Sequence, residues 1–423
     1  MKSYIIEGGK KLEGTVKISG SKNASLPILA ATILSEKTNK LYNVPQIKDT
    51  KTTLEILKLL GCKIKQNSGK IEINSKHITK TEIPEHLMRE MRSTVIMAGA
   101  LLGRFKEVTF SYPGGCDIGS RPIDLHINAF KKLGVEITEE AGFIKCKANK
   151  IIGTNIDLDF PSVGATENII LATVLSTGTT TINNAAMEPE IIDMVQFLKK
   201  MGAKIQGEGT NQIIIDGVEK LSGVSYNIMP DRIEAGTILC AVAATGGNVI
   251  LDNVIPEHLT AVINKLEETG CKIEINNKKI TLNAPKKLKP IDIKTMTYPG
   301  FPTDLQQIFA TMLVKASGTS IIVENIFESR YKYISELRKM GAKVTVEGKT
   351  AIIKGTRKIN ATTVVCTDLR GGAALVIAGL MAKGKSRVEN IGYIQRGYEN
   401  LENKLGSLGA KIKLEAVSYT HLR

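Results

Sequence analysis

The chain has 423 residues, more than the ~250 to 300 at which a single hydrophobic core stops growing, so two domains are expected. With 42% hydrophobic and 23% charged residues it has the composition of a globular protein, and no apolar run approaches the ~20 residues that cross a bilayer. Disordered and membrane-spanning classes are thereby excluded.

A net charge of +15 favours anionic partners, but the forty-five lysines are scattered, with few aromatics among them to stack bases. No nucleic-acid partner is therefore expected. The twelve arginines are more informative, because a guanidinium grips phosphate or carboxylate through two N–H groups at once. Six cysteines without a CxxC pair and five histidines without HExxH give neither a disulfide framework nor a zinc site, and no metal is expected.

In chain order, the N-terminal MKSYIIEGGKKLEG lacks an apolar signal core, which sets a cytoplasmic expectation. NASLPILAATIL then reads as a buried helix, and LLGCKI (59–64) as the glycine-closed end of an amphipathic helix running into a β-branched strand. The pair recurs as STVIMAGALL with KLGVEI (132–137), ATENIILATVL with KMGAKI (200–205), IEAGTILCAVAA with ETGCKI (268–273), DLQQIFATMLV with KMGAKV (339–344), and GGAALVIAGLMA with SLGAKI (407–412). The closing glycines Gly61, Gly134, Gly202, Gly270, Gly341 and Gly409 lie 73, 68, 68, 71 and 68 residues apart. Short strands such as TGTTTINNA, GGNVILDNV and SGTSIIVEN separate the two helices of a unit. The fold class is therefore α/β, built from six repeated units, three before about residue 230 and three after. GLMAKGKS (379–386) formally satisfies a phosphate-loop pattern, but it follows a helix and precedes a strand, the reverse of what that loop requires.

Ligands favour the cleft between domains, and helix starts suit anions, so the starts of the buried helices are the place to look. They carry Lys22 and Asn23, Arg92, Ser162 with Val163 and Gly164, Asp231 with Arg232 and Glu234, Asp304, and Asp368 with Arg370. Neighbouring loops add Cys116 with Arg121, then Arg330 and Arg396. Half of the twelve arginines fall in these segments, which favours an anionic substrate. Each position also has a plainer reading. Asp231 with Glu234 fits a helix-capping pattern, Thr303 with Gln306 fits a capping box that leaves Asp304 as a first-turn acid, and Asp368 fits an N-cap. Cys62 and Cys271 hold a repeat position where three units have alanine, Cys240 sits in an apolar run, and Cys146 and Cys366 sit in strand-like segments. Cys116 alone lies in a glycine-rich loop, where nearby cations lower a thiol pKa.

The motifs SGSKNA, PGGCDIGSRPIDLH, SVGATEN, EPEIID, PDRIEAGT, YPGFPTDLQ and DLRGG resemble those of the enolpyruvyl transferases over nearly the whole chain. The loop cysteine and YPGFPTD resemble the members that act on a UDP-sugar rather than on shikimate 3-phosphate. The resemblance implies a two-lobed inside-out α/β barrel with three units per lobe, which closes on the sugar nucleotide. The lobes would be 22–229, and 1–21 plus 230–415 with the N-terminal segment joining as a strand; 416–423 is set aside as a non-native or disordered tail. It implies a monomer without cofactor whose substrates are phosphoenolpyruvate and UDP-N-acetylglucosamine.

By motif, Lys22, Arg121 and Arg396 would hold the phosphate of phosphoenolpyruvate, with Asn23 adjoining and Arg330 and Arg370 near its carboxylate. Asn23, Arg92, Arg121, Pro122, Ile123, Asp124, Leu125, Ser162, Val163, Gly164, Asp304 and Ile326 would contact the UDP-sugar. Asp304 would accept the proton of the sugar hydroxyl, Cys116 would protonate C3 of the enolpyruvyl group, and Asp368 would assist. The same cysteine implies sensitivity to fosfomycin. Where some members carry a lysine before the SVGAT loop this chain has Phe160 and Pro161, so diphosphate contact there falls to backbone N–H groups. An RNA-terminal phosphate cyclase, built from related repeats, would need a catalytic histidine loop that is missing, and a nucleic-acid clamp has only net charge in its favour.

Overall fold

The computed structural model describes residues 2–67, 69–115 and 123–416. They divide into two compact units, one of residues 20–115 and 123–229, the other of residues 2–19 and 230–416.

Each unit has three buried helices at its centre. In the first they are Lys22–Ala31, Ile96–Phe105 and Val163–Thr173, with Ile96–Phe105 packed on both others. In the second they are Arg232–Thr245, Gln306–Leu313 and Leu369–Met381, each against the other two. Small residues allow this. A Cβ on Gly99 would stand 2.4 Å from the carbonyl oxygen of Asn168, and one on Gly103 would stand 2.4 Å from that of Leu171. The Ile96–Phe105 and Val163–Thr173 backbones therefore meet directly along a glycine face.

Around each trio lie three sheets and three amphipathic helices, the inside-out α/β arrangement. The amphipathic helices are Lys48–Leu60, Asp124–Lys132, Pro189–Met201, Thr260–Glu268, Tyr333–Lys339 and Leu401–Ser407. All six repeat glycines lie just past them with φ between +85° and +117°, the left-handed conformation that ends a helix and turns the chain into its strand. The strand returns as a hairpin, for example Lys63–Asn67 on Lys70–Asn74, which pairs antiparallel with the strand that follows the buried helix, Thr38–Tyr42.

A fourth strand joins in parallel and closes each unit on itself. Ser225–Asn227, from the end of the first unit, pairs with Thr38–Tyr42 at its beginning. The N-terminal segment closes the second unit with two strands rather than the single one expected. Glu13–Lys17 pairs in parallel with Asn248–Asp252, while Lys2–Glu7 lies between Lys385–Glu389 and Lys411–Ala416, where the sixth repeat has no return strand of its own. That last strand runs through Ala416, so the tail set aside in the sequence begins one residue too early; residues 417–423 lie outside the described residues. The sheet Glu107–Ser111, Phe143–Lys147 and Glu136–Glu140 has three strands, with a lone parallel bridge from Glu82 to Thr109 where the others have a fourth.

One device recurs where the strand after the buried helix ends. Asn43, Asn184, Asn253 and Asn390 adopt φ between +55° and +60°, and each side-chain amide donates to a carbonyl beside the neighbouring parallel strand: Ile228, Leu158, Ile18 and Cys366 respectively. Asn325 makes the same bond to the Thr295 carbonyl in the fifth repeat. Among the described residues no helix is long and apolar enough to cross a membrane, and no group of three His, Cys, Asp or Glu side chains is placed to hold a metal.

Candidate active site

In the unit of residues 230–416 the three buried helices begin at one place. Asp231 caps Arg232–Thr245, accepting from the N–H groups of Ile233 (2.8 Å) and Glu234 (3.0 Å). The return half of that box is missing: Glu234 instead accepts from the Ser19 N–H at 3.2 Å and pairs with Lys404. Asp368 caps Leu369–Met381 through the N–H groups of Arg370 (3.0 Å) and Gly371 (2.9 Å). The plainer reading of these two aspartates describes their geometry.

Asp304 is different. It lies in the short 3-10 turn Thr303–Leu305, about a quarter exposed, and its carboxylate takes Arg330 Nη2 on one oxygen at 2.6 Å and Arg370 Nε and Nη2 on the other at 3.1 and 2.9 Å. Both arginines are buried; Arg330 Nε has no partner among the described residues, and Arg370 also shares a hydrogen bond with Tyr398. Burial alone would lower the Arg370 pKa; Tyr398, whose ring lies 5.1 Å away, together with Asp304 and Asp231 outweighs it and holds the group well above its usual range. The expected Thr303–Gln306 box does not form. Thr303 Oγ1 donates to Glu324 at 2.9 Å, and Gln306 reaches the Tyr333 hydroxyl at 3.3 Å, because buried partners compete for both side chains. Ile326 follows in the next turn, its N–H held by Glu324, and Arg396 is buried in the turn Ile394–Arg396.

In the unit of residues 20–229, Ser21 caps Lys22–Ala31 and Lys22 Nζ pairs with the buried Asp49 at 2.7 Å; Asn23 is half-buried beside it. Ser162 caps Val163–Thr173 by accepting from the Ala165 N–H at 3.3 Å, and its carbonyl takes that of Thr166. The Val163 and Gly164 N–H groups are thereby left without partners among the described residues, as a helix start that binds an anion requires. Phe160 is exposed at the entrance to this loop. Arg92 opens the turn Arg92–Val95, and Ile123, Asp124 and Leu125 lead into Asp124–Lys132 with only Ile123 buried.

Between these helix starts stands a residue that sequence reasoning did not single out. His126 is 7% exposed, 3.2 Å from where a Cβ on Gly164 would stand. Asn168 fixes its tautomer. The Asn168 Oδ1 accepts from the Gly99 N–H at 2.8 Å, so its amide group faces the other way, donating to the Val95 carbonyl at 3.0 Å and to His126 Nδ1 at 2.7 Å. Nδ1 is then the acceptor and Nε2 carries the proton. Burial, helped by the Arg92 charge, pushes the His126 pKa down to about 4.

Cys116, Arg121 and Pro122 lie outside the described residues. The other five cysteines are buried and free, and desolvation raises the thiol pKa of each, to about 12 for Cys146 and Cys366, so none of them offers a thiolate. GLMAKGKS joins the helix Leu369–Met381 to the strand Lys385–Glu389, so it forms no phosphate loop. A cavity of about 550 Å³ lined by Lys265, Asp292, Lys294 and Phe301, among others, contains none of the residues above.

The profile of the EPSP synthase (3-phosphoshikimate 1-carboxyvinyltransferase) family matches residues 6–405. Among curated proteins, UDP-N-acetylglucosamine 1-carboxyvinyltransferase 2 of Caldanaerobacter subterraneus subsp. tengcongensis is 51% identical over 97% of this chain and 99% of its own. The protein of the same name from Carboxydothermus hydrogenoformans is 48% identical over 98% and 99%. Among solved structures, the enolpyruvyl transferase NikO from Streptomyces tendae superposes with a TM-score of 0.90 at 24% identity over 99% of each chain. EPSP synthase from Acinetobacter baumannii gives 0.76 at 19% over 98% of this chain and 100% of its own. The two structures share the fold; the near-half identity over the full length lies with the proteins named for the UDP-sugar. The chain belongs to the enolpyruvyl transferase family of EPSP synthase, among the UDP-N-acetylglucosamine 1-carboxyvinyltransferases.

Proposed function

We infer that the protein transfers the enolpyruvyl group of phosphoenolpyruvate to the 3-hydroxyl of UDP-N-acetylglucosamine with release of phosphate, a step of peptidoglycan synthesis. The observation that carries the reading into the site is the Asp304 carboxylate held by Arg330 and Arg370. Two guanidiniums favour its ionised form, the one that accepts a proton, and their charge also suits the carboxylate of an incoming substrate. We assign Asp304 as the acceptor of the sugar hydroxyl proton, with Arg330 and Arg370 on the enolpyruvyl carboxylate. Lys22, Arg121 and Arg396 take the phosphate, with Asn23 adjoining.

The sugar oxygen attacks C2 of the enolpyruvyl group, Cys116 delivers a proton to C3, and phosphate then leaves the tetrahedral adduct as a proton returns from C3, restoring the double bond. An acid and a base on opposite ends of that bond serve both halves of the reaction, and the guanidiniums stabilise the oxyanions as phosphate departs. We assign the UDP moiety to Arg92, the segment from Arg121 to Leu125, and the Val163 and Gly164 N–H groups after Ser162, with Asn23, Asp304 and Ile326 contacting the sugar. Asp368 assists proton transfer in addition to capping its helix. We assign the reaction to the cytoplasm and to a monomer.

The test is inorganic phosphate released from phosphoenolpyruvate with UDP-N-acetylglucosamine or shikimate 3-phosphate as acceptor, with Cys116→Ala as control. Release that needs the UDP-sugar and disappears in the control is expected, as is a fosfomycin adduct at Cys116 with loss of activity. Release only with shikimate 3-phosphate would overturn the substrate assignment, and full activity of the control would remove Cys116 from the mechanism.

A further inference from the structure

We propose that Glu324 is a positioning residue of this reaction: acting through the Thr303 hydroxyl, its carboxylate holds Asp304 and Arg330 in one working geometry. The proposal rests on the assignment of Asp304 as the base.

Glu324 is 1% exposed. Its Oε1 accepts from the N–H groups of Ile326 (2.9 Å) and Phe327 (3.2 Å) and from the Thr295 hydroxyl (2.9 Å), while Oε2 accepts from Thr303 Oγ1 (2.9 Å). The Thr303 oxygen in turn accepts from Arg330 Nη1 at 3.3 Å, and Nη2 of the same guanidinium grips Asp304 at 2.6 Å. One carboxylate thus ties together the turn that carries Ile326, the turn that carries Asp304 and the arginine between them.

The four donors are two amides and two hydroxyls, none cationic. Burying a carboxylate without a cationic partner is costly, so its presence needs a reason. The fold does not supply one. The tetrapeptide VENI ends the equivalent strand in the sixth repeat as well, at Val388–Ile391, and there Glu389 is only half-buried. In the fifth repeat the strand Thr319–Val323 stops one residue earlier and its glutamate turns inward, in the repeat that carries Asp304.

The direction of the hydrogen bonds matters. Thr303 has a single hydroxyl proton; giving it to Glu324 leaves its lone pairs facing Arg330. In Glu324→Gln the three donors at Oε1 keep the carbonyl there and put the amide N–H groups opposite Thr303, so the hydroxyl must accept from both sides. The hydroxyl proton then loses its acceptor and the donor order of the relay is reversed, without a change of shape.

The experiment measures phosphate release and thermal midpoints for Thr303→Val, Thr303→Ser, Glu324→Gln and Asp304→Ala. Thr303→Val and Glu324→Gln are expected to lower kcat about tenfold or more while KM for each substrate stays within about threefold, the pattern of a misplaced catalytic group. Thr303→Ser is expected to recover most of what valine loses. A kcat within twofold of the parent in both variants, a serine variant as impaired as valine, or a kcat loss accompanied by an equal rise in both KM values would overturn the proposal. Full activity of Asp304→Ala would overturn the base assignment and the proposal with it, whereas an inactive alanine variant beside unaffected Thr303 and Glu324 variants would remove the relay alone.

Discussion

His126 makes a linkage prediction whose size follows from its surroundings. Burial and the Arg92 charge bring its pKa down to about 4, against ~6.5 for an exposed histidine. Between those values the unfolded chain binds a proton that the folded chain refuses, so stability rises with pH, and the contribution is lost as pH falls from above 6.5 towards 4. From pH 7.5 to pH 5 the loss amounts to ~2 kcal/mol, approaching ~3.4 kcal/mol below both values. His126→Gln keeps a polar side chain near Asn168 and removes the titration. Denaturant unfolding of the two proteins by circular dichroism at half-unit pH steps isolates the difference, since all other titrating groups are common to both. The parent is expected to lose about 2 kcal/mol more than the variant over that interval. Equal pH slopes would mean that His126 titrates alike in both states, and would refute both its burial in neutral form and the Asn168 bond to Nδ1.

Gly99→Ala would put a Cβ 2.4 Å from a backbone oxygen, a clash that no side-chain rotation relieves, and should destabilise by ~1 to 3 kcal/mol in the same unfolding assay. Asn184→Gly should lose the bond to the Leu158 carbonyl at ~1 kcal/mol while accepting the positive φ, and Asn184→Ala should lose more because it also carries the backbone strain; equal losses would show that the angle is not constrained. Asp368→Ala should lose ~1 kcal/mol with its cap, and Asp368→Asn should keep that stability yet lower kcat by about tenfold or more if the charge moves a proton; an asparagine variant at parental kcat would leave capping as its whole role.

The repeat was legible because it is written in residues with strict backbone needs. A glycine at left-handed φ ends each amphipathic helix, and nothing else fits there without strain, so six glycines some 70 residues apart mark six units. The asparagine clip has the same character, and the series YNV, NNA, DNV, ENI and ENI at the strand ends is its sequence mark. Helix starts were legible as places, yet what each side chain does there was not. The capping pattern at Thr303 was overruled by Glu324, and that at Asp231 was half overruled by Ser19 and Lys404, partners far along the chain. His126 ends the motif PGGCDIGSRPIDLH, but its role is not written there, because a histidine acquires its meaning from Asn168 and Gly164, which only the packing of two helices brings near. The resemblance implies one N-terminal strand where there are two, because the sixth repeat lacks its return strand and only the tertiary structure shows that Lys2–Glu7 supplies it.

The equivalent helix starts explain why the charges are distributed as they are. In the unit of residues 20–229 the caps are the neutral Ser21 and Ser162, so the positive ends of those helices stay uncompensated, and Val163 and Gly164 keep N–H groups to offer. In the other unit, Asp231 and Asp368 cap their helices and Asp304 sits in the first turn before its own, so each positive end already has an anion. Under the proposed function, anion binding there would come from side chains, and the buried Arg330 and Arg370 converge on Asp304. Under that function, one repeat would thus serve anions in two ways, through backbone N–H groups in one unit and through guanidiniums in the other. In the second unit the acid and two guanidiniums meet at the starts of the buried helices themselves, whereas in the first the Lys22 partner, Asp49, comes from the amphipathic helix Lys48–Leu60.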